Sequence, residues 1–121
     1  MQSSLVLGLE AGADPNLSTR WGWTALMCAV YSGDARRVRL LIDAGADVNA
    51  REATGRDTVL NIAALHGSAS VVQALLDAGA DVTAENDATM TAVFRAKYNT
   101  NSDRVAIQSI LQEAWKAAGW P

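Results

Sequence analysis

His66, the lone histidine, sits in the stretch "LHGS" and is the residue that most invites a catalytic or metal-binding role. An imidazole becomes a general base or a ligand only beside partners, either a group it can deprotonate or further histidines and cysteines at ligand spacing. The sequence offers His66 neither, so a turn or surface histidine is the stronger reading. Paired carboxylates could share acid and base duty. Asp43 with Asp47 and Asp77 with Asp81 make such pairs, but they recur at a fixed interval, which marks architecture. Gly8 and Gly12 lack the strand and the lysine that a phosphate-cradling loop needs. Arg36, Arg37 and Arg39 fall on the outward side of a helix whose inward stripe is Val38, Leu41 and Ile42, a solvated face. The residues therefore point to no enzyme, with no catalytic, metal or cofactor-binding site.

The elements that would position any site follow from composition and period. The chain has 121 residues, half of them apolar, which suits one packed domain. Ten basic and 13 acidic residues are spread along the whole length for a net charge of −3, without the basic stripe that nucleic acid requires. Cys28 is the single cysteine and cannot form an internal disulfide. There is no secretory leader and no apolar run of ~18 residues to cross a bilayer, so a cytoplasmic protein without membrane contact is expected. A composition rich in glycine, alanine and arginine and poor in lysine points to a bacterial source.

"AGAD" occurs at Ala11, Ala44 and Ala78, at intervals of 33 and 34 residues. That period marks a repeat array. A second mark keeps the same phase: "TALMCA" from Thr24, "TVLNIA" from Thr58 and "TAVFRA" from Thr91. Threonine before an apolar run is a good N-cap, because its hydroxyl accepts a free amide of the first turn. Leu26, Ala29 and Val30 then lie at helical spacing and Gly33 ends the helix. A second helix carries the stripe Val38, Leu41 and Ile42 and ends at Gly45; Val72, Leu75, Leu76 and Gly79 repeat it. The predicted helices cover residues 24–32, 34–44, 58–66, 69–78, 91–98 and 103–117. Between units, alternating small and polar residues suit a hairpin-like finger. The finger after Asp47 is one residue longer than the others, which predicts a bulge near Gly55.

These marks resemble the ankyrin-repeat family, whose T-P-L-H-x-A pattern is matched by Thr24, Leu26 and Ala29, by Thr58, Leu60 and Ala63, and by Thr91, Val93 and Ala96. The family's proline is replaced by Ala25, Val59 and Ala92, and its histidine by Met27, Asn61 and Phe94. The threonine-centred hydrogen-bond network that the resemblance implies is thus only partly preserved. The expected architecture is an all-α, ankyrin-type solenoid of helix-turn-helix repeats with fingers, forming one domain over residues 1–121. Residues 1–18 make a partial first repeat, 19–51 the second, 52–85 the third and 86–121 a modified C-terminal capping repeat. In the last unit the turn "YNTNSD" is about two residues longer, Asp103 is expected to cap the final helix, and Val105, Ile107, Ile110, Leu111 and Ala114 form its stripe. The array is near the lower limit of about three repeats for a stable stack.

By resemblance, such stacks bind partner proteins through finger tips and the exposed ends of first helices. Carried over by position, the partner-binding residues are Arg20, Trp21, Trp23, Tyr31, Ser32, Arg51, Arg56, Asp57, Leu65, His66, Glu85, Asp87, Met90, Tyr98 and Asn99. Aromatic residues and arginine are the side chains that most often anchor interfaces. Trp21 and Trp23 fit contact anchors on a finger, or else indoles covering the truncated start of the stack. Trp115 and Trp120 fit the sealing of the last unit. The expected function is a non-catalytic protein-binding module, acting as a scaffold or as a small inhibitor or immunity-type protein that blocks a toxin or enzyme. A contrasting class is a self-associating unit stacking through Trp21 or Trp120; a monomer is the default.

Overall fold

A computed structural model describes residues 14–119. Nine of the residues in the half-unit from Leu5 to Asp14 lie outside the described residues, as does Trp120. Among the described residues six α-helices follow one another in pairs: α1 Ala25–Ser32 with α2 Ala35–Asp43, α3 Val59–His66 with α4 Ala69–Asp77, and α5 Ala92–Arg95 with α6 Arg104–Ala117. The helix predicted over 91–98 is thus divided, since after Arg95 it tightens into a 3-10 turn, Ala96–Tyr98. The inner helices α1, α3 and α5 pack side by side, and the outer helices α2, α4 and α6 do the same behind them. This is an all-α repeat solenoid.

Each inner helix starts for the reason its sequence announces. The hydroxyls of Thr24, Thr58 and Thr91 accept the amides of Met27, Asn61 and Phe94 at 3.2, 3.0 and 3.2 Å. Asp34 and Ser68 cap α2 and α4 in the same way. Gly45 and Gly79 follow the outer helices with φ of 97° and 96°, a left-handed conformation that stops a helix without strain only at glycine. Small residues then let the inner row close up: Ala29, Ala63, Ala64, Ala92 and Ala96 are buried in the core beside Leu26, Leu60, Leu75, Ile107 and Leu111.

The fingers share a device that the repeat pattern alone did not suggest. In each, one side-chain oxygen at the base gathers the amides of the tip. The Thr19 hydroxyl accepts from the amides of Trp21 and Trp23, both at 3.3 Å. Asn86 accepts from Ala88 at 2.9 Å and Met90 at 3.0 Å. In the longer finger the acceptor is Glu52, which takes the amides of Thr54 and Gly55 at 2.7 Å and of Asp57 at 3.0 Å, together with the Thr54 hydroxyl. A longer loop needs a longer arm, and glutamate supplies it along with a second oxygen. The last tip residue before each return is left-handed: Gly22 at φ 77°, Arg56 at 60° and Thr89 at 60°. The bulge predicted near Gly55 therefore falls on Arg56, because the strained position is tied to the return and not to the glycine.

Two asparagines link neighbouring units with the period of the array. Asn16 bridges the Gly45 carbonyl and the Asp47 amide, and Asn49 bridges the Gly79 carbonyl and the Asp81 amide. Tips are also joined directly, Ala53 donating its amide to the Trp21 carbonyl at 2.7 Å and Asp87 to that of Gly55 at 3.0 Å. At Gly22 a Cβ would meet the Ala53 nitrogen at 2.8 Å, so this tip contact requires glycine.

The last unit is attached by polar side chains as well as by a buried apolar stripe. Asp103 does not cap α6; its carboxylate instead accepts the Ala69 amide, at the start of α4, at 2.9 Å. Asn101 donates to the Gly67 carbonyl at 2.6 Å. In α6 the buried stripe is Ile107 and Leu111, with Ile110, Ala114 and Trp115 half-buried against the core. Val105, predicted to belong to that stripe, is 71% exposed, because two residues from the buried Ile107 it lies about 200° round the helix, on the solvent side.

Candidate protein-binding surface

One face of the stack carries a row of rings. Trp23 returns from the first finger, packs half-buried against the core and meets the edge of Tyr31 at 6.1 Å and 72°. Tyr31, at the end of α1 and 55% exposed, lies 4.7 Å from His66 at the end of α3. One unit further on, Phe94 and Tyr98 lie 5.6 Å apart, with the Lys97 ammonium 5.5 Å over the Phe94 ring. Partial burial, and after it the charge of Arg95, hold the His66 imidazole below its ordinary range against the opposing pull of Asp57. The neutral ring therefore faces Tyr31 at pH 7.

The two neighbouring tryptophans part company. Trp21 stands on the finger tip, 56% exposed, with the Arg20 guanidinium 5.3 Å over its ring. Trp23 instead is half-buried against the core. Replacing Trp21 with alanine should change stability by less than about 1 kcal/mol, as at ordinary surface sites. The same change at Trp23 should cost about 2 kcal/mol, part of the cost of a fully buried aromatic. Urea unfolding of the two single variants checks this, and equal losses would mean that the indoles act as one unit.

Other residues expected on this face divide into exposed and occupied. Ser32, Glu85 and Asp87 are exposed, and Leu65 and Met90 are half-buried. Arg56 is exposed on its tip, whereas Arg51 points along the array and donates to the carbonyls of Glu85 and Arg56. Asp57 is already engaged, by Arg95 at 2.6 Å and by Asn86 at 2.7 Å, so it ties units together. Asn99 is a correction. It is buried, donates to the carbonyls of Ala64 at 2.9 Å and Gly67 at 3.5 Å, and cannot reach a partner.

Phe94 was not among the expected contacts, yet 38% of it is exposed. It stands where Met27 and Asn61 stand in earlier units, and both of those are fully buried by the unit that follows. The signal was present in the sequence: a large apolar side chain at a stacking position of the last unit. Among the described residues no group of histidine, cysteine, aspartate and glutamate could hold a metal ion. Behind the stack lie two open grooves, of about 470 Å³ between α4 and α6 and about 290 Å³ between α2 and α4, lined in part by Asp77 with Glu113 and by Asp77 with Asp43.

Paired helices, threonine caps and fingers at this spacing are matched by a family model, ankyrin repeats in three copies, over residues 2–86. The chain belongs to the ankyrin-repeat family. No curated protein matches it. The matched stretch ends where the modified last unit begins. Ankyrin repeats are in general protein-interaction modules and typically non-catalytic. No helix among the described residues is long and apolar enough to cross a membrane.

Proposed function

We propose that this ankyrin domain is a non-catalytic binding module whose concave face, made of finger tips and inner-helix ends, takes a partner protein. The observation that carries the proposal is the run of exposed rings on that face: Trp21, Tyr31, His66, Phe94 and Tyr98. Exposed aromatics cost solvation without helping the fold, and they are the side chains that dominate interface energetics. A cytoplasmic scaffold and a small inhibitor both fit such a face, since both use the same contacts. Exposure of Phe94 at a stacking position favours a second reading, association of chains end to end, which light scattering across concentrations distinguishes by a rising mass.

The test is a photo-crosslinker, p-benzoylphenylalanine, placed at Tyr31 on the ring face or at Gln73 on the outer face. A partner captured through Tyr31 and not through Gln73 is the expected result. Capture through Gln73 alone would move the binding site to the grooves behind the stack.

A further inference from the structure

Charge is distributed unevenly over this acidic chain. Arg20 and Arg56 occupy the tips of the first two fingers, and neither guanidinium has a hydrogen bond or an ion pair with a described residue; Arg20 lies over Trp21. Of the other arginines, Arg37 pairs with Asp34, Arg51 with carbonyls and Arg95 with Asp57, while the exposed Arg36, Arg39 and Arg104 lie on the outer helices α2 and α6, away from the fingers. The third tip is different, carrying exposed Asp87 beside exposed Glu85. Acids also line the grooves on the outer side, joined by Arg39 in the one between α2 and α4. Two free guanidinium groups thus stand at one end of a row of rings, Trp23, Tyr31 and His66, that crosses from one unit to the next.

Building on the binding role proposed above, we propose that the first two fingers and the Tyr31–His66 platform take an acidic peptide segment of the partner, carboxylates on Arg20 and Arg56 and an apolar side chain on the rings. Guanidinium matches carboxylate with two parallel donors, and an unengaged arginine loses no internal bond in making that pair. The rings lie in sequence along the stack, which suits an extended segment. Asp87 and Glu85 set its polarity, since the stretch that crosses the third finger must be neutral or basic. The same acids oppose a polyphosphate strand, which would carry charge past all three tips, and the net charge of −3 adds to that opposition.

The experiment selects random twelve-residue peptides on three immobilised full chains: the natural sequence, Arg20→Ser with Arg56→Gly, and Tyr31→Ser with His66→Ser. Glycine suits the left-handed backbone at position 56, and thermal melts verify that both variants fold. The natural chain should enrich peptides with clustered aspartate or glutamate next to an aromatic or aliphatic residue, and their affinity should fall at least about tenfold on the arginine variant, the scale of losing charge-assisted bonds. Neutral or basic peptides that depend on Tyr31 and His66 would overturn the acidic assignment and leave the binding face standing. Peptides indifferent to both variants would remove the face itself, and with it the proposed function. A fluorescent single-stranded oligouridylate binding more tightly than the best peptide at physiological salt would overturn the assignment in favour of nucleic acid, and failure to enrich any peptide would also overturn it.

Discussion

Replacing Asn61 with leucine should cost about 3 kcal/mol of folding stability, although leucine is close to asparagine in size and welcome in a core. Asn61 is fully buried in α3. Its side-chain oxygen accepts both the amide of Thr58, at 3.0 Å, and the hydroxyl of Thr58, at 2.8 Å, while its nitrogen donates to the Met90 carbonyl of the next unit at 3.2 Å. Leucine would strand the donating hydroxyl and amide of the buried Thr58 at once, whereas the half-buried Met90 carbonyl keeps the Asn86 amide at 3.1 Å. Loss of a single buried partner costs about 1–3 kcal/mol, and these two Thr58 groups have little access to water. Histidine, the residue of the family pattern at this position, offers one accepting and one donating nitrogen and so can play both parts. Asn61→His should therefore lose less than the leucine variant, about 1 kcal/mol, because it keeps the bonds and must only accommodate the larger ring. Urea denaturation of both variants decides the matter. A leucine variant as stable as the natural chain would show that, at this junction with the last unit, the bonds of Asn61 to Thr58 and Met90 add nothing net to the fold.

That junction also explains what the sequence could and could not disclose. Thr24, Thr58 and Thr91 were legible as caps because donor and acceptor lie three residues apart, within one turn. Gly45 and Gly79 were legible because a helix stop depends on local backbone alone. Asp103 and Asn99 were misjudged for the opposite reason: their partners, Ala69 and Ala64, lie 34 and 35 residues back in the preceding unit. In a repeat protein the neighbour in space is one period away, so a polar residue in a turn can cap the helix of another unit. Asp57 carries the same lesson, its charge being met by Arg95 at a separation of 38 residues. Trp21 and Trp23 resist sequence reading differently. Two residues apart on a finger, they point to different surroundings, and only the position of the tip decides which of them is exposed.

Acid should weaken the middle finger in particular, and Glu52 is the reason. Burial by itself would raise its pKa, but the Thr54 hydroxyl and the amides of Asp57, Thr54 and Gly55 all bond to the ionised form and bring the pKa down from 4.5 to about 2. A carboxylate with a lowered pKa in the folded chain contributes stability that is fully present above its unfolded value. That stability is lost as pH falls from about 4.5 towards about 2. At 1.36 kcal/mol for each tenfold change in proton affinity, the ceiling is about 3 kcal/mol; water around a finger tip screens part of it, and about 2 kcal/mol is expected. Glu52→Gln keeps the length of the arm and removes the charge, so the natural chain should exceed it by about 2 kcal/mol at pH 7, by about a quarter of that near pH 2.5, and by almost nothing near pH 1, below the folded pKa. Asp81, whose pKa is lowered first by the Thr83 hydroxyl, titrates in both proteins and cancels in the difference. A stability gap that does not change with pH would mean that Glu52 acts through shape and not through charge. A gap near zero at neutral pH would mean that the finger keeps its form without the carboxylate.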